Sequence, residues 1–163
     1  MIHKVLKLLL YIAITLGIVA VVVGITLIKQ GPVDIKLNAV EEKFVSEYAD
    51  VNMSKSDGML VKKVYGINTA DCEDYLYYAT EDTMDVREFL MIKTVDKDQT
   101  DVILAAIDRH LNNQKQVFGN RGALQNEMLD QAVMYHVGNY VCFFISDNAK
   151  EWVKMVKKML GTL

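Results

Sequence analysis

The chain has 163 residues with 18 basic and 21 acidic side chains, a net charge of −3 and a mean hydropathy of +0.13. Lys4, Lys7 and Lys29 fall in the first 29 residues, so the rest carries 15 basic against 21 acidic side chains. That balance excludes a protein built to neutralise nucleic-acid phosphates and argues against broad adhesion to anionic lipid.

The first element is Leu8–Ile28, twenty-one residues without charge or proline, fourteen of them Leu, Ile or Val. As a helix it would rise about 32 Å, one bilayer hydrocarbon core. Each of the fourteen favours insertion by roughly 0.3–0.6 kcal/mol, which Gly17, Gly24, Thr15 and Thr26 do not offset. A transmembrane helix is therefore expected, with the bilayer as its partner. The run is longer than a signal-peptide core and no Ala-x-Ala or lipobox cysteine follows, so an uncleaved anchor is expected. The basic tail, Lys4 and Lys7, places the N-terminus in the cytoplasm and the remainder outside. Ala13, Gly17, Ala20 and Gly24 share one helical face and offer a small-residue seam for a homodimer.

Gln30-Gly31-Pro32 stops that helix, which gives a tail and anchor over 1–29, a linker over 30–37 and a domain over 38–163. Val40, Phe44, Tyr48 and Val51 mark an amphipathic helix. Ser54–Gly58 reads as a turn, Leu60–Tyr65 as a short helix closed by Gly66, and Asn68–Asp71 as a capped helical turn. Strands follow near Tyr75–Thr80 and Val86–Val95, where Glu88, Leu90 and Ile92 alternate with Phe89 and Met91. A helix from about Asp98 to Phe118 aligns Ile103, Ile107, Leu111 and Phe118. Gly119–Gly122 breaks it, and a short helix runs through Leu124 and Met128. Strands near Ala132–Val137 and Tyr140–Ser146 join through Gly138-Asn139, a hairpin with glycine at the first position of a II′ turn. The last helix, capped by Asp147 or Asn148 with Glu151 reaching back, aligns Trp152, Val153, Val156 and Leu160. The order α-α-ββ-α-α-ββ-α is α+β with an antiparallel sheet, behind an N-terminal single transmembrane helix.

With these elements in place the chain resembles a bacterial family of domains of unknown function, number 4358, over about Ala39–Leu163. The carriers are Leu60 with Val64-Tyr65-Gly66-Ile67 before the acidic Asp71, Glu73 and Asp74, and the inner strand Glu88–Lys93. They continue with Asp101, Arg109, Gln114 and Phe118 along the long helix, then Gln125, and finally Gly138–Ser146. Many such proteins look like lipoproteins or carry one N-terminal helix, which implies an extracytoplasmic domain at a bacterial cell membrane. This chain departs in lacking a lipobox and in having Asn120 where the family leads one to expect tyrosine. The resemblance implies no activity.

No motif for catalysis stands in the sequence: there is no G-x-S-x-G, P-loop or G-x-G-x-x-G. His110, His136, Cys72 and Cys142 lack zinc-ligand spacing, so no metal and no cofactor are expected. His110 and His136 read as half-buried, hydrogen-bonded histidines. Cys72 precedes Glu73 and Asp74, which disfavour a thiolate. Cys142, within an apolar run, reads as a buried hydrophobe. A Cys72–Cys142 disulfide stays open, because Cα separation is not in the sequence. Tyr75, Tyr77, Tyr78, Tyr135 and Tyr140 either line a groove for sugar or peptide or form a packed aromatic sheet face. The expected function is an anchored binding or accessory module that contacts an envelope protein or wall component; the alternative is an envelope hydrolase. A polar-lined cleft with converging acids or histidines would favour the hydrolase, and a shallow aromatic surface the binding module.

Overall fold

The computed structural model describes residues 7, 11–19, 31–48, 52–119 and 122–163. Contacts divide it into two compact units, Met1–Gly31 and Pro32–Leu163. In the first, residues 11–19 are helical. The remainder of the expected membrane helix Leu8–Ile28 lies outside the described residues, with Ala20 and Gly24 of the small-residue seam. Among the described residues no helix is long and apolar enough to cross a membrane.

The second unit is α+β, as expected. Strands β1 (Ser54–Lys55), β2 (Asp74–Ala79), β3 (Glu88–Lys93), β4 (Val133–Val137) and β5 (Tyr140–Ile145) form one sheet. Its order is β1-β2-β3-β5-β4, and every neighbouring pair is antiparallel. The helices are α1 (Leu37–Tyr48), α2 (Gly58–Tyr65), α3 (Lys97–Phe118), α4 (Ala123–Asp130) and α5 (Ala149–Met159), with a 3-10 turn over Thr69–Asp71. On one face of the sheet Tyr77, Leu90, Ile92 and Phe143 pack against Val61 and Tyr65 of α2, Ile103 and Ile107 of α3 and Leu129 of α4. On the other, Leu76, Phe89, Met91 and Phe144 pack against Val40 and Phe44 of α1 and Trp152 and Val156 of α5. With both faces covered, β3 and β5 are buried at every position. Tyr-Val-Cys-Phe-Phe-Ile is therefore a continuous apolar run without polar alternation.

Local signals fix the element ends. Asp57 accepts the Leu60 N–H at 3.0 Å to start α2, and Gly66, at φ +75°, closes it in the left-handed conformation that glycine tolerates. Asp96 accepts the Gln99 N–H at 2.8 Å and starts α3 at Lys97. Asn148 is the N-cap of α5, one of the two positions expected, but at φ −93° and ψ 9° its side chain makes no capping bond. Ser146 orders the approach to the helix, its hydroxyl accepting the Asn148 N–H at 3.0 Å and donating to Asp147. β1 also corrects the reading of Ser54–Gly58 as a turn: Ser54 and Lys55 pair with Ala79 and Tyr78.

The stretch read as a linker is held to the domain from Pro32 on. The Val33 N–H reaches the Leu160 carbonyl at 2.9 Å, and the Ile35 N–H reaches the Tyr140 hydroxyl at 2.8 Å. That hydroxyl donates to Asp34 at 2.7 Å, and Lys93 pairs with Asp34 at 2.7 Å and with Glu73. Gly138, at φ +57°, turns the β4–β5 hairpin beneath this strap, where a Cβ would stand 2.6 Å from Pro32 Cγ. Only glycine meets both demands. Cys72 and Cys142 are both free. They pack in clusters on opposite faces of the sheet, which rules out a disulfide between them in this fold.

Candidate functional site

The sheet does not gather the five tyrosines onto one surface. Successive strand residues point to opposite faces, so Tyr75 and Tyr77 join the α2–α3 side while Tyr78 joins the α1–α5 side. Tyr135 and Tyr140 are also on the α1–α5 side. Tyr77 and Tyr140 are buried, at 2% and 1% exposure. Tyr78 donates to Glu41 at 2.8 Å, and burial followed by that carboxylate pushes its hydroxyl up to about 12. The arrangement is that of packed sheet residues. Of the small-residue seam, Ala13 and Gly17 fall in the described helical stretch, four residues apart.

A different group converges. Glu88 opens β3 on the same face as Leu90 and Ile92, yet is only 5% exposed. His110 stands on α3 one turn beyond Ala106 and Ile107, on the buried stripe of that helix, and is 9% exposed. Its Nε2 lies 2.8 Å from Glu88 Oε1. The other carboxylate oxygen, Oε2, accepts from the hydroxyl of Tyr65, the last residue of α2, and from Tyr77 at 3.4 Å. Tyr65 also packs on the His110 ring, centroids 4.5 Å apart, and meets Tyr77 edge to face. Burial, followed by the charge of Glu88, drives both phenols well above their ordinary range, so they stay protonated and donate. One strand and two helices thus supply a buried carboxylate with three donors, and no oxygen of Glu88 is without a partner.

Glu88, His110 and Tyr77 of this cluster line a cleft of about 310 Å³. Leu60 and Val64 of α2 make one wall, Gln114 and Phe118 of α3 the other, and the β2–β3 turn with Thr80, Asp82 and Thr83 the rim. That turn is preset by its own acids. Asp82 accepts the Met84 N–H at 2.9 Å, and Asp85 accepts the Arg87 N–H at 3.0 Å. Arg87 Nε lies 2.9 and 3.0 Å from the Asp85 oxygens, and its terminal nitrogen pairs there too. Burial pushes the Asp85 carboxyl up, but the bonds from Arg87 outweigh it and hold the group below the usual aspartate range. On the far side of Arg87 a second hollow, about 290 Å³, is lined by Met84, Leu124, Met128 and Asp147. Gln125 donates to the Met84 carbonyl at 2.9 Å and ties the turn to α4.

The sequence placed His110 on an apolar helical face, and it is buried and hydrogen-bonded there. His136, expected to be half-buried, is exposed on the edge strand β4. Glu88 and Tyr65 as partners of His110 were missed. The available signal was a lone carboxylate in phase with Leu90 and Ile92, because burying a charge requires a partner. Among the described residues no group of three or more His, Cys, Asp or Glu side chains is placed to hold a metal ion.

Among protein families, the model described as domain of unknown function (DUF4358) matches residues 46–146, well over half of the chain and including all four members of the buried cluster. The chain belongs to that family. No curated protein and no solved structure matches it.

Proposed function

We propose that this member of the family is a single-pass, membrane-anchored binding module of the bacterial cell envelope, its α+β domain outside the cytoplasm, with the cleft above Glu88 and His110 as its ligand site. The observation that carries the binding assignment is the bonding of Glu88 and Arg87. Glu88 already accepts from His110, Tyr65 and Tyr77, and Arg87 is tied to Asp85. A carboxylate so occupied is held in place and is not free to attack a substrate itself, and it fixes the shape and polarity of the cleft. The convergence of Glu88 and His110 in a cleft is the feature that favours the second reading, an envelope hydrolase with His110 oriented by Glu88.

The anchor reading draws on Leu8–Ile28 and on the helical residues 11–19. Every residue of 11–19 is exposed, Tyr11, Ile12, Ile14, Leu16, Ile18 and Val19 among them, and only Thr15 carries an aliphatic hydroxyl there. An all-round apolar surface is matched by hydrocarbon, not by water. The Thr15 hydroxyl turns back onto the carbonyls of Tyr11 and Ile12, at 3.1 and 2.9 Å, as a polar group in an apolar surrounding must.

Site-specific photo-crosslinking in living cells tests the reading. A photoreactive residue at Thr83, on the cleft rim, should give a defined adduct, and one at Lys150, exposed on α5, should not. Equal adducts from both sites, or none from Thr83, would overturn it. Protease added to intact protoplasts should remove the domain, and full protection would reverse the orientation.

A further inference from the structure

We infer that the free edge of β4 is a docking site for an extended, acidic peptide segment, which joins the sheet as an added strand. β4 is an edge strand, and its ladder to β5 fixes which way its backbone points. Val137 and Tyr140 flank a two-residue turn, so they form a hydrogen-bonded pair, and such pairs alternate along the ladder. The Asn139 carbonyl accepts the Thr94 N–H, which sets the same phase from the β3 side of β5. Val133, Tyr135 and Val137 therefore bond inward to β5, and the N–H and C=O groups of Met134 and His136 point out. None of these four groups has a hydrogen-bond partner among the described residues. Sheet edges are ordinarily guarded by shortness, proline, charge or a bulge. The opposite edge, β1, is guarded: it has two residues, and one is Lys55. β4 has five residues in continuous register, with no proline, lysine or acid, and Met134 and His136 are exposed. Its free groups match the backbone of an incoming strand.

Charge selects the partner. Tyr135 lies on the α5 side of the sheet, and the Lys157 ammonium of α5 stands over its ring, 5.3 Å from the centroid. α5 carries four lysines against the single acid Glu151, and Lys157 pairs with no carboxylate among the described residues. Every pair in this sheet is antiparallel. In an antiparallel addition the residue opposite Tyr135 presents its side chain on the same face, beside Lys157. An aspartate or glutamate there is attracted and a lysine is repelled. The next residues of the incoming strand, opposite Met134 and His136, fall on the other face, where apolar side chains suit Met134. A second copy of this chain fits less well, because two β4 edges paired about Tyr135 would bring both Lys157 ammoniums onto one face.

The test uses the full-length chain in non-ionic detergent micelles and two probes, acetyl-Thr-Val-Glu-Val-Thr-amide and the same peptide with lysine at its centre. Hydrogen exchange of the Met134 and His136 amides is followed by NMR, and the inward-bonded Tyr135 amide reports that the hairpin is intact. The glutamate peptide should slow exchange at both outward amides. The lysine peptide should need about five times the concentration, a preference that salt weakens. Lys157→Glu should invert the preference. His136→Pro removes an outward donor while leaving the bonds to β5, and should abolish the response. Outward amides unchanged by either peptide would overturn the proposal, as would an equal response to both or a preference that survives Lys157→Glu. Slow exchange at both amides without peptide, growing with protein concentration, would overturn it in favour of a second copy. All of these outcomes are read at β4 and leave the assignment of the cleft untouched.

Discussion

Replacing Glu88 by Met removes the acceptor that three buried donors share. The His110 Nε2 bond, at 2.8 Å, and the Tyr65 bond are the strong ones, and Tyr77, at 3.4 Å, is marginal. An orphaned buried donor costs roughly 1–3 kcal/mol, so two strong donors and one weak one give about 3–5 kcal/mol. Against a total stability of about 5–15 kcal/mol that is a large fraction. The triple change Glu88→Met, His110→Leu, Tyr65→Phe removes both strong donors as well and leaves only the Tyr77 hydroxyl without its acceptor. It should recover most of the loss and cost about 1 kcal/mol. Urea unfolding of the domain Pro32–Leu163 provides the measurement, with Trp152, the only tryptophan and 0% exposed, as the fluorescence probe. That domain should fold alone, since its cores and caps lie wholly within it. A cost below about 1 kcal/mol for Glu88→Met would refute the reasoning. So would a triple variant no more stable than the single one.

Further outcomes follow from individual residues. The Asp85 carboxyl is held below its ordinary value of 3.8 in the folded state, so it contributes stability at neutral pH that is lost as pH falls through the folded value. Asp85→Asn should therefore melt lower than wild type near pH 7, and the gap should close below about pH 4; a gap independent of pH would contradict the ion pair. Trp152→Ala should cost roughly 3–5 kcal/mol in the same urea assay, since its ring fills the space between Phe44, Phe89 and Phe144. Burial pushes the Cys142 thiol up to about 12, whereas Cys72, also raised by burial, is partly exposed. A thiol reagent at pH 8 should count one slow thiol in the native protein and two in denaturant, with or without prior reduction.

Much of this fold is legible from residue spacing. Tyr75–Thr80 and Val86–Val95 show themselves as strands by alternation, and Gly138-Asn139 marks its hairpin because a positive φ needs glycine. β1 is not legible, since two residues have no period and Ser54-Lys55 pairs only because β2 offers an edge. At α5 the N-cap falls at Asn148, a position the composition marks, but the backbone there is not extended and the Asn148 side chain makes no capping bond. At the site, periodicity places His110 on the inner face of its helix and Glu88 on one face of its strand. It does not say that these two faces meet, 22 residues apart in sequence, or that Tyr65 arrives from a third element. The tyrosines teach the converse. Tyr77 and Tyr78 are neighbours in sequence and are divided by the sheet.

The two polar centres of the domain stand at opposite ends of one strand, and their separation leads to a last prediction. β3 begins with Glu88 under the cleft and ends with Lys93, which holds Asp34 of the strap and Glu73. Five residue steps of strand separate them, about 17 Å along the axis. Their odd spacing also puts them on opposite faces, Glu88 toward α3 and Lys93 toward Tyr140. The apolar residues between them, Phe89 to Ile92, are buried and hold no movable polar contact that could pass a signal from one end to the other. Hydrogen bonds from Lys93 and Tyr140 lower the Asp34 carboxyl, and Asp34 and Glu73 together raise the Lys93 ammonium. Asp34→Ala removes the strap's side-chain tie to Lys93 and Tyr140 and leaves its backbone bonds to Leu160 and Tyr140 in place. The melting temperature of Pro32–Leu163 should fall, and most clearly between the ordinary carboxylate and lysine ranges, where both partners are charged. The adduct from a photoreactive residue at Thr83 should stay unchanged in the full-length chain, because no contact at the cleft is altered. A variant that lost the Thr83 adduct while remaining folded would show that strap and cleft are coupled through β3, and would end the view that the strand separates them.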